Sequence, residues 1–271
     1  MSRDAKEILR ILNKDALRVE TLQEVTSTNE LLLVRGEAGE PEGLILTADR
    51  QTAGRGRSGR SFFSPDQTGI YTSILLRPRC SMEQIGKLTP LAAVAVCEVL
   101  EEIASCPLQI KWVNDIYSRN RKICGILAQA GKTFTDGIPD CVVLGIGIDL
   151  FPTNEGLPKE IEEVAGSLWT DEREVRERKE EPFLKEEILG RLWKRFYELY
   201  QNPDDPSCVE YYRSRLLWVG QDICAYDGAD GSERTAKLLG VDEDYSLILH
   251  FEGETAPAAV RNGEIRIRRR L

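Results

Sequence analysis

Four arginines, at positions 50, 55, 57 and 60, fall within the stretch DRQTAGRGRSGRSFFSP, interleaved with Gly54, Gly56 and Gly59. Guanidinium groups this close repel one another in a bare loop. Phosphate or carboxylate relieves them, because each guanidinium grips such an anion through two parallel N–H bonds. Glycines at this spacing leave the backbone free to take positive φ and turn its N–H groups toward a negative charge. Three readings stay open on composition: a solvated loop, a loop that folds over an anion and is mobile without it, and a nucleic-acid patch. The spacing is not a P-loop, since no G-K-[ST] follows. Nor does it open a helix as G-x-G-x-x-G does, because SFFSPDQTG has the texture of a turn.

Three other stretches carry chemistry. EVTSTNELLL sets Ser27, Thr28 and Asn29 ahead of an apolar helical run, where they can cap the helix or line a pocket for a polar group. KWVNDIYSRNRKICGIL places Lys111, Asn114 and Asp115 at a strand end and Lys122 at the start of the next strand. GIGIDL adds Gly145, Gly147 and Asp149, with glycines where a backbone or ligand can approach closely.

Composition narrows the classes. The chain has 271 residues, 41% of them hydrophobic, enough for a buried core, and no stretch approaches the length of a membrane span. A net charge of −9 is opposite to what a duplex-binding protein shows, and basic charge is concentrated in the arginine stretch and the RIRRRL tail. The seven cysteines are an odd number with no C-x-x-C pair, which fits reduced, mostly buried thiols. The single histidine, His250, lies in the alternating run YSLILHFEG and offers no His–His metal pair. The first residues, MSRDAKEILRIL, lack an apolar signal core, so a cytoplasmic protein is expected.

Periodicity supplies the elements that must position these residues. Residues 44–49 and 69–78 are expected strands, the second with Ile70, Thr72, Ile74 and Leu76 on one face. Residues 88–103 form a helix with Thr89 as cap and Pro90 in the first turn. LQIKWVNDIYS and KICGILAQA are strands joined by the turn RNR, and 141–150 is another strand. Residues 152–182, polar and proline-punctuated, are expected to be a surface excursion. An amphipathic helix follows with Leu184, Ile188, Leu192, Phe196 and Leu199 inward, then a second helix over PSCVEYYRSRLL. From Trp218 onward, short alternating runs between Gly/Asp turns predict a small all-β unit.

Taken in order, Ser27–Asn29, Gln51–Arg60, Lys111–Asp115, Arg121–Leu127 and Gly145–Asp149 resemble the five motif blocks of the biotin protein ligases: S-T-N, Q-x-x-G-R-G-R-x-G-R, K-W-P-N-D, R-K-x-x-G-I-L and G-x-G-x-N. The resemblance covers the chain from about residue 20 to its end. It implies an α+β fold: a class II synthetase-like catalytic domain over 1–215, a mixed β-sheet with flanking helices, and a small SH3-like β-barrel over 216–271. The implied activity is ATP-dependent formation of biotinyl-5′-AMP, then transfer of the biotinyl group to a lysine of a biotin carboxyl-carrier domain, with Mg²⁺ assisting.

Carried over by position, the resemblance assigns the ureido ring and tail of biotin to Ser27, Thr28, Gln51 and the backbone near Arg57. Lys122 would sit between the biotin carboxylate and the α-phosphate, with Arg55, Arg57 and Arg60 on the phosphates. Asn114 and Asp115 would place the nucleotide and its Mg²⁺, Asp115 also assisting loss of the acceptor lysine's proton. Lys122, Arg57 and Asp115 form the implied catalytic set. Asn29, Gly54, Gly56, Lys111, Trp112, Gly125, Leu127, Gly145, Gly147 and Asp149 complete the implied binding set, and the metal ligands are left unassigned. Two positions depart from the pattern: Val113 replaces the usual Pro, and Asp149 the usual Asn. A carboxylate beside phosphate is repelled, so Asp149 is expected to work through Mg²⁺ or to face a cation. Only about 20 residues precede the first block, too few for a helix-turn-helix domain, so a ligase without DNA binding is expected. A homodimer through exposed strand edges stays open. The rival readings are a lipoate or octanoate ligase or transferase of related fold, and a biotin-binding regulator without turnover.

Overall fold

The computed structural model describes residues 2–14, 16–132, 134–154, 156–227, 231–261 and 265–269. The chain opens with helix α1 (Arg3–Leu12), capped by Ser2, whose Oγ accepts from the Ala5 amide. Strand β1 (Arg18–Val25) leads to α2 (Thr28–Glu37) and β2 (Leu44–Gln51). β1 and β2 pair in parallel, with α2 as the crossover between them. The arginine stretch then runs as a loop with one 3-10 turn at Arg57–Gly59, into β3 (Gly69–Leu76).

Helices α3 (Met82–Gly86) and α4 (Leu88–Ala104) follow. Thr89 is not the cap of α4. Ser81 and Gln84 form a capping box on α3, and Lys87 is already in the αR conformation, so the chain enters α4 without a side-chain cap and Thr89 lies inside the first turn. The expected strand over 108–118 is two strands, β4 (Gln109–Lys111) and β5 (Asp115–Ser118), paired with each other across a turn at 112–114. The Trp112–Val113 peptide in that turn is cis. Arg119 and Asn120, both at positive φ, form the two-residue turn from β5 to β6 (Arg121–Ala130), the hairpin the sequence predicts. The two-residue strands β7 (Phe134–Thr135) and β8 (Ile138–Pro139) make a small separate hairpin before β9 (Val142–Asp149).

These strands assemble a seven-stranded mixed sheet in the order β1-β2-β3-β9-β6-β5-β4. Its two faces have different covers. Ile70, Ile74 and Leu76 of β3, with Val142, Leu144, Ile146 and Ile148 of β9, pack into the main core. Helix α4 lies in that core, together with α6 (Leu184–Gln201) and α1. All five inward residues predicted for α6 are buried there. On the opposite face, Leu44, Leu46, Leu75 and Val143 form a second cluster beneath α2 with Leu32. Every residue of β3 is therefore buried, where alternation alone had assigned one buried face. Ser73, Gly145 and Gly147 continue this second face beyond the apolar cluster, and there the functional residues gather.

The excursion after β9 is anchored in the core, contrary to expectation. Leu168 and Trp169 are buried, their amides donate to Asp149 O and Leu150 O, and Trp169 stacks on Phe151. The charged helix α5 (Glu172–Glu180) has no buried residue. After α7 (Pro206–Arg215), strands β10 (Asp222–Asp227), β11 (Glu233–Val241), β12 (Leu247–Phe251), β13 (Ala258–Val260) and β14 (Ile265–Arg269) form an antiparallel sheet in the order β13-β12-β11-β10-β14. The expected barrel is not closed: among the described residues the edge strands β13 and β14 do not pair. Ile223, Ala225, Leu238, Leu247, Leu249 and Ile267 join the main core, so this sheet buries its apolar face without wrapping onto itself.

Candidate active site

A cavity lies where the N-terminus of α2 meets the centre of the large sheet. It is lined by Ser27, Thr28 and Asn29 from α2, Gln51 from β2, and Arg55, Gly56, Arg57 and Phe62 from the loop. The sheet contributes Asn114, Lys122, Gly125, Leu127, Gly145 and Gly147. Thirteen of the expected residues thus converge on one place. Gly54, Arg60, Lys111, Trp112, Asp115 and Asp149 do not line it. The free space is about 50 Å³, room for a few water molecules.

One end of the cavity is polar and neutral. Ser27 caps α2, its Oγ accepting from the Glu30 amide at 3.4 Å. Gln51 Oε1 accepts from the Thr28 amide at 2.9 Å, and Gln51 Nε2 donates to Ser64 Oγ at 3.0 Å. Beneath Thr28 lies Ser73, which is fully buried, 2.7 Å from Thr28 Oγ1 and 2.6 Å from Asn29 Oδ1. Asn29 lies flat on β9, and only glycine permits this: a Cβ on Gly145 would stand 1.9 Å from Asn29 Oδ1. The same holds one step along the strand, where a Cβ on Gly147 would meet the Phe62 ring at 2.5 Å.

The other end is cationic, and a slip in the β5–β6 ladder puts the key cation there. Asp115 pairs with Gly125 and Ile116 with Cys124, but Tyr117 pairs with Lys122, leaving Ile123 as a bulge. In a regular strand Lys122 and Gly125 would point to opposite faces. The extra residue turns Lys122 onto the face of Gly125 and Asp115 while Ile123 enters the core. Lys122 Nζ consequently lies 2.7 Å from Asp115 Oδ1. Lys122 is held from behind, its amide donating to Val164 O and its carbonyl accepting from the Gly166 amide.

The loop is tied over this end. Arg57 Nη1 donates to Asn114 Oδ1 at 3.0 Å, Asn114 Nδ2 donates to Ile126 O, and Arg55 pairs with Glu30 of α2. Arg50 turns away to Glu24, and Arg60 is exposed. The loop glycines divide their work differently from expectation. Only Gly59 has positive φ, beside Ser58 at φ 55°. Gly56 is extended, and Gly54 is required by close packing, since a Cβ there would stand 2.4 Å from Phe62 O.

Burial tunes the charges around the cavity. It lowers the pKa values of the Arg57 guanidinium and the Lys111 ammonium. Lys111 lies over the rings of Trp218 and Tyr117, at 5.3 and 6.0 Å. Burial also pushes the Asp149 carboxyl up to about 8, against the pull of Lys122, so at neutral pH it is mostly a neutral acid able to donate a hydrogen bond. Trp112 is buried away from the cavity, where its Nε1 donates to Tyr245 O at 2.8 Å and ties the β4–β5 turn to the C-terminal sheet.

A profile described as the biotin/lipoate A/B protein ligase family matches residues 21–149, the segment that carries every cavity residue. The bifunctional ligase/repressor BirA of Bacillus spizizenii is 31% identical over 234 residues, covering 84% of this chain and 68% of that protein. The biotin protein ligase of Aquifex aeolicus, solved in complex with biotin and ATP, superimposes with a TM-score of 0.71 at 28% identity, over 93% of this chain and 99% of that one. The chain belongs to the biotin protein ligase family. A third relative, the biotin–[acetyl-CoA-carboxylase] ligase of Mycobacterium tuberculosis, is 27% identical over 88% of this chain and 85% of its own length. Within the biotin protein ligase fold, sequence reasoning missed Phe62, Ser73, Gln129 and Ser64. Phe62 sat unread at the end of the arginine stretch. A second hydroxyl residue beside Thr72 in a strand otherwise rich in apolar residues was the available signal for Ser73.

Proposed function

We propose that this protein activates biotin with ATP and transfers the biotinyl group to a lysine of a biotin carboxyl-carrier domain. The observation that carries the reading is the pairing of a neutral hydrogen-bonding end, Ser27–Thr28–Gln51, with a cationic end, Lys122 and Arg57, in one cavity. Such a cavity suits a ligand with a polar uncharged head and a carboxylate tail. A buried urea needs acceptors for two N–H groups and donors for one carbonyl, and hydroxyls and an amide provide both. The tail carboxylate then lies toward Lys122.

In the first step a carboxylate oxygen forms a bond to the α-phosphorus of ATP while the bond to pyrophosphate breaks. Lys122 lets two anions approach and stabilises the charge that develops between them. Its partner in the free protein is Asp115, so substrate anions exchange one carboxylate contact for another. Arg57 and Arg55 bring positive charge from the loop, and Phe62 moves with them as an apolar wall. The loop residues Arg55, Gly56, Arg57 and Phe62 cover the cavity that biotin would enter. Closure afterwards shields the acyl-adenylate from water. In the second step the carrier lysine's amine attacks the acyl carbon, AMP leaves, and Asp115 accepts the amine proton. No covalent protein intermediate is needed, and positioning and electrostatics supply the acceleration.

Mg²⁺ fits as a companion of the nucleotide and not as a resident ion. Among the described residues no group of three His, Cys, Asp or Glu side chains converges to hold one. When bound, Mg²⁺ would offset phosphate charge, with Asp115 the acidic group nearest Lys122. ATP–pyrophosphate exchange tests the proposal: exchange dependent on biotin is expected, followed by labelling of a carrier domain. Exchange with lipoate or octanoate alone, or none with any acid, overturns it.

A further inference from the structure

On its β9 side, Lys122 lies beyond the end of the sheet ladder: β9 pairs with β6 only as far as Cys124 and Ile148. The segment that follows β9 returns to fill that place. Lys122 and Ala165 form a parallel bridge, in which the Lys122 amide donates to Val164 O and the Gly166 amide donates to Lys122 O, both at 2.8 Å. The segment is fastened on either side of this bridge. Arg121 Nη1 donates to Glu162 O at 2.6 Å, the Leu168 amide to Asp149 O and the Trp169 amide to Leu150 O. Trp169 stacks on Phe151, with the Arg178 guanidinium over the first ring and the Lys179 ammonium over the second. Gly166 lies directly against the start of β6. A Cβ there would stand 2.5 Å from Arg121 Cβ and 3.2 Å from Arg121 Cγ.

We infer that residues 162–169 form a clasp that holds the bulged start of β6, and that Gly166 is a positioning residue acting through Lys122. A bulge leaves one residue unpaired and disrupts the ladder around it, so the direction of Lys122 depends on what its own amide and carbonyl bind. Both bind the clasp, while Ile123 is buried in the core. Glycine lets the clasp approach Arg121 this closely. Carbon atoms not bonded to each other rest at about 3.5–4.0 Å, so a methyl group at 166 must shift one backbone against the other by roughly 1 Å. The two hydrogen bonds of the bridge pass that shift to Lys122. The inference rests on the biotin ligase reading, in which Lys122 lies between the carboxylate and the α-phosphate, and deepens it. A segment outside the cavity sets the place of the charge that the transition state needs.

Steady-state ATP–pyrophosphate exchange with Gly166→Ala, made in the parent and in Lys122→Ala, tests this. In the parent, kcat is expected to fall about ten- to a hundredfold, the cost of misplacing a reacting group by roughly 1 Å, with the KM values for biotin and ATP within about threefold. In Lys122→Ala the same substitution should cost no more than about twofold, because the cation it would displace is gone. Arg121→Gly removes the opposing Cβ, so adding it to Gly166→Ala should return kcat to within about threefold of Arg121→Gly alone. Where Gly166→Ala fails to fold, Arg121→Ala takes its place. It releases Glu162 O without adding an atom, and should lower kcat about three- to tenfold in the parent and not in Lys122→Ala. Parental kcat in the folded variant overturns the inference, as does an equal loss with and without Lys122, the mark of a purely structural segment. A parent protein without biotin-dependent exchange overturns the ligase proposal, and this inference with it.

Discussion

Lys122 Nζ stands 2.7 Å from Asp115 Oδ1 because the β5–β6 ladder slips by one residue at Ile123. The bulge turns the lysine from the core face to the cavity face, and the nearby carboxylate balances its charge. Removing the cation should therefore act on chemistry before it acts on folding. Lys122→Ala is expected to lower biotin-dependent pyrophosphate exchange by about two to three orders of magnitude, as loss of a transition-state charge partner does. Exchange within tenfold of the parent, from a protein with unchanged circular dichroism, would remove Lys122 from the mechanism.

Gly145 offers a steric test of the polar end. A Cβ there would stand 1.9 Å from Asn29 Oδ1, closer than any van der Waals contact, so Gly145→Ala must displace the Asn29 amide. The KM for biotin should rise at least tenfold while the KM for ATP changes little. An unchanged biotin KM would show that Asn29 does not support the ligand site.

Asp149 gives a pH prediction with a definite sign. Its carboxyl ionises near 3.8 in the unfolded chain and is pushed up to about 8 by burial in the fold. Folding takes up a proton between those values, so stability is fullest below the unfolded pKa and is lost as pH rises toward 8. Asp149→Asn has no such loss and should be more stable at pH 7, by on the order of a few kcal/mol. Thermal denaturation of both proteins across pH 4–9 checks this, and parallel curves would refute it.

The arginine loop supplies a fourth prediction. Arg55 on Glu30 and Arg57 on Asn114 hold it over the cavity, so ligand binding beneath it should tighten it. Amide exchange over residues 54–61 should be fast in the free protein and slow at least tenfold with biotin and ATP present. Equal exchange in both states would mean that the loop is no lid.

Trp112 links the two sheets through one hydrogen bond, Nε1 to Tyr245 O. Trp112→Phe keeps the ring and loses the bond. A loss of about 1–2 kcal/mol in unfolding free energy is expected, because the carbonyl is left buried without this donor. Biotin affinity should stay close to the parent value, since Trp112 does not line the cavity. A large loss of biotin affinity without loss of stability would restore it to the site.

Much of this was legible in one dimension. The inward stripe of α6, the Arg119–Asn120 hairpin and the five motif blocks all rest on local spacing, and the structure contains each of them. The cap at Thr89 was misread because Lys87 continues a preceding helix, which no local propensity records. Trp112 was drawn into the binding set by its neighbours in the KWVND block, although its side chain turns toward the other sheet.

The sequence by itself determined which chemistries were available: clustered guanidinium groups, paired hydroxyls and an amide, one lysine beside a glycine, and no histidine pair. These follow from residue types and local spacing. The tertiary structure decided which of them meet. The Ile123 bulge chose the face of Lys122, the crossover of α2 brought Asn29 onto Gly145, and burial made Asp149 a neutral donor. Each of these depends on strand register or on solvent exclusion by distant segments, and neither quantity exists until the sheet has formed.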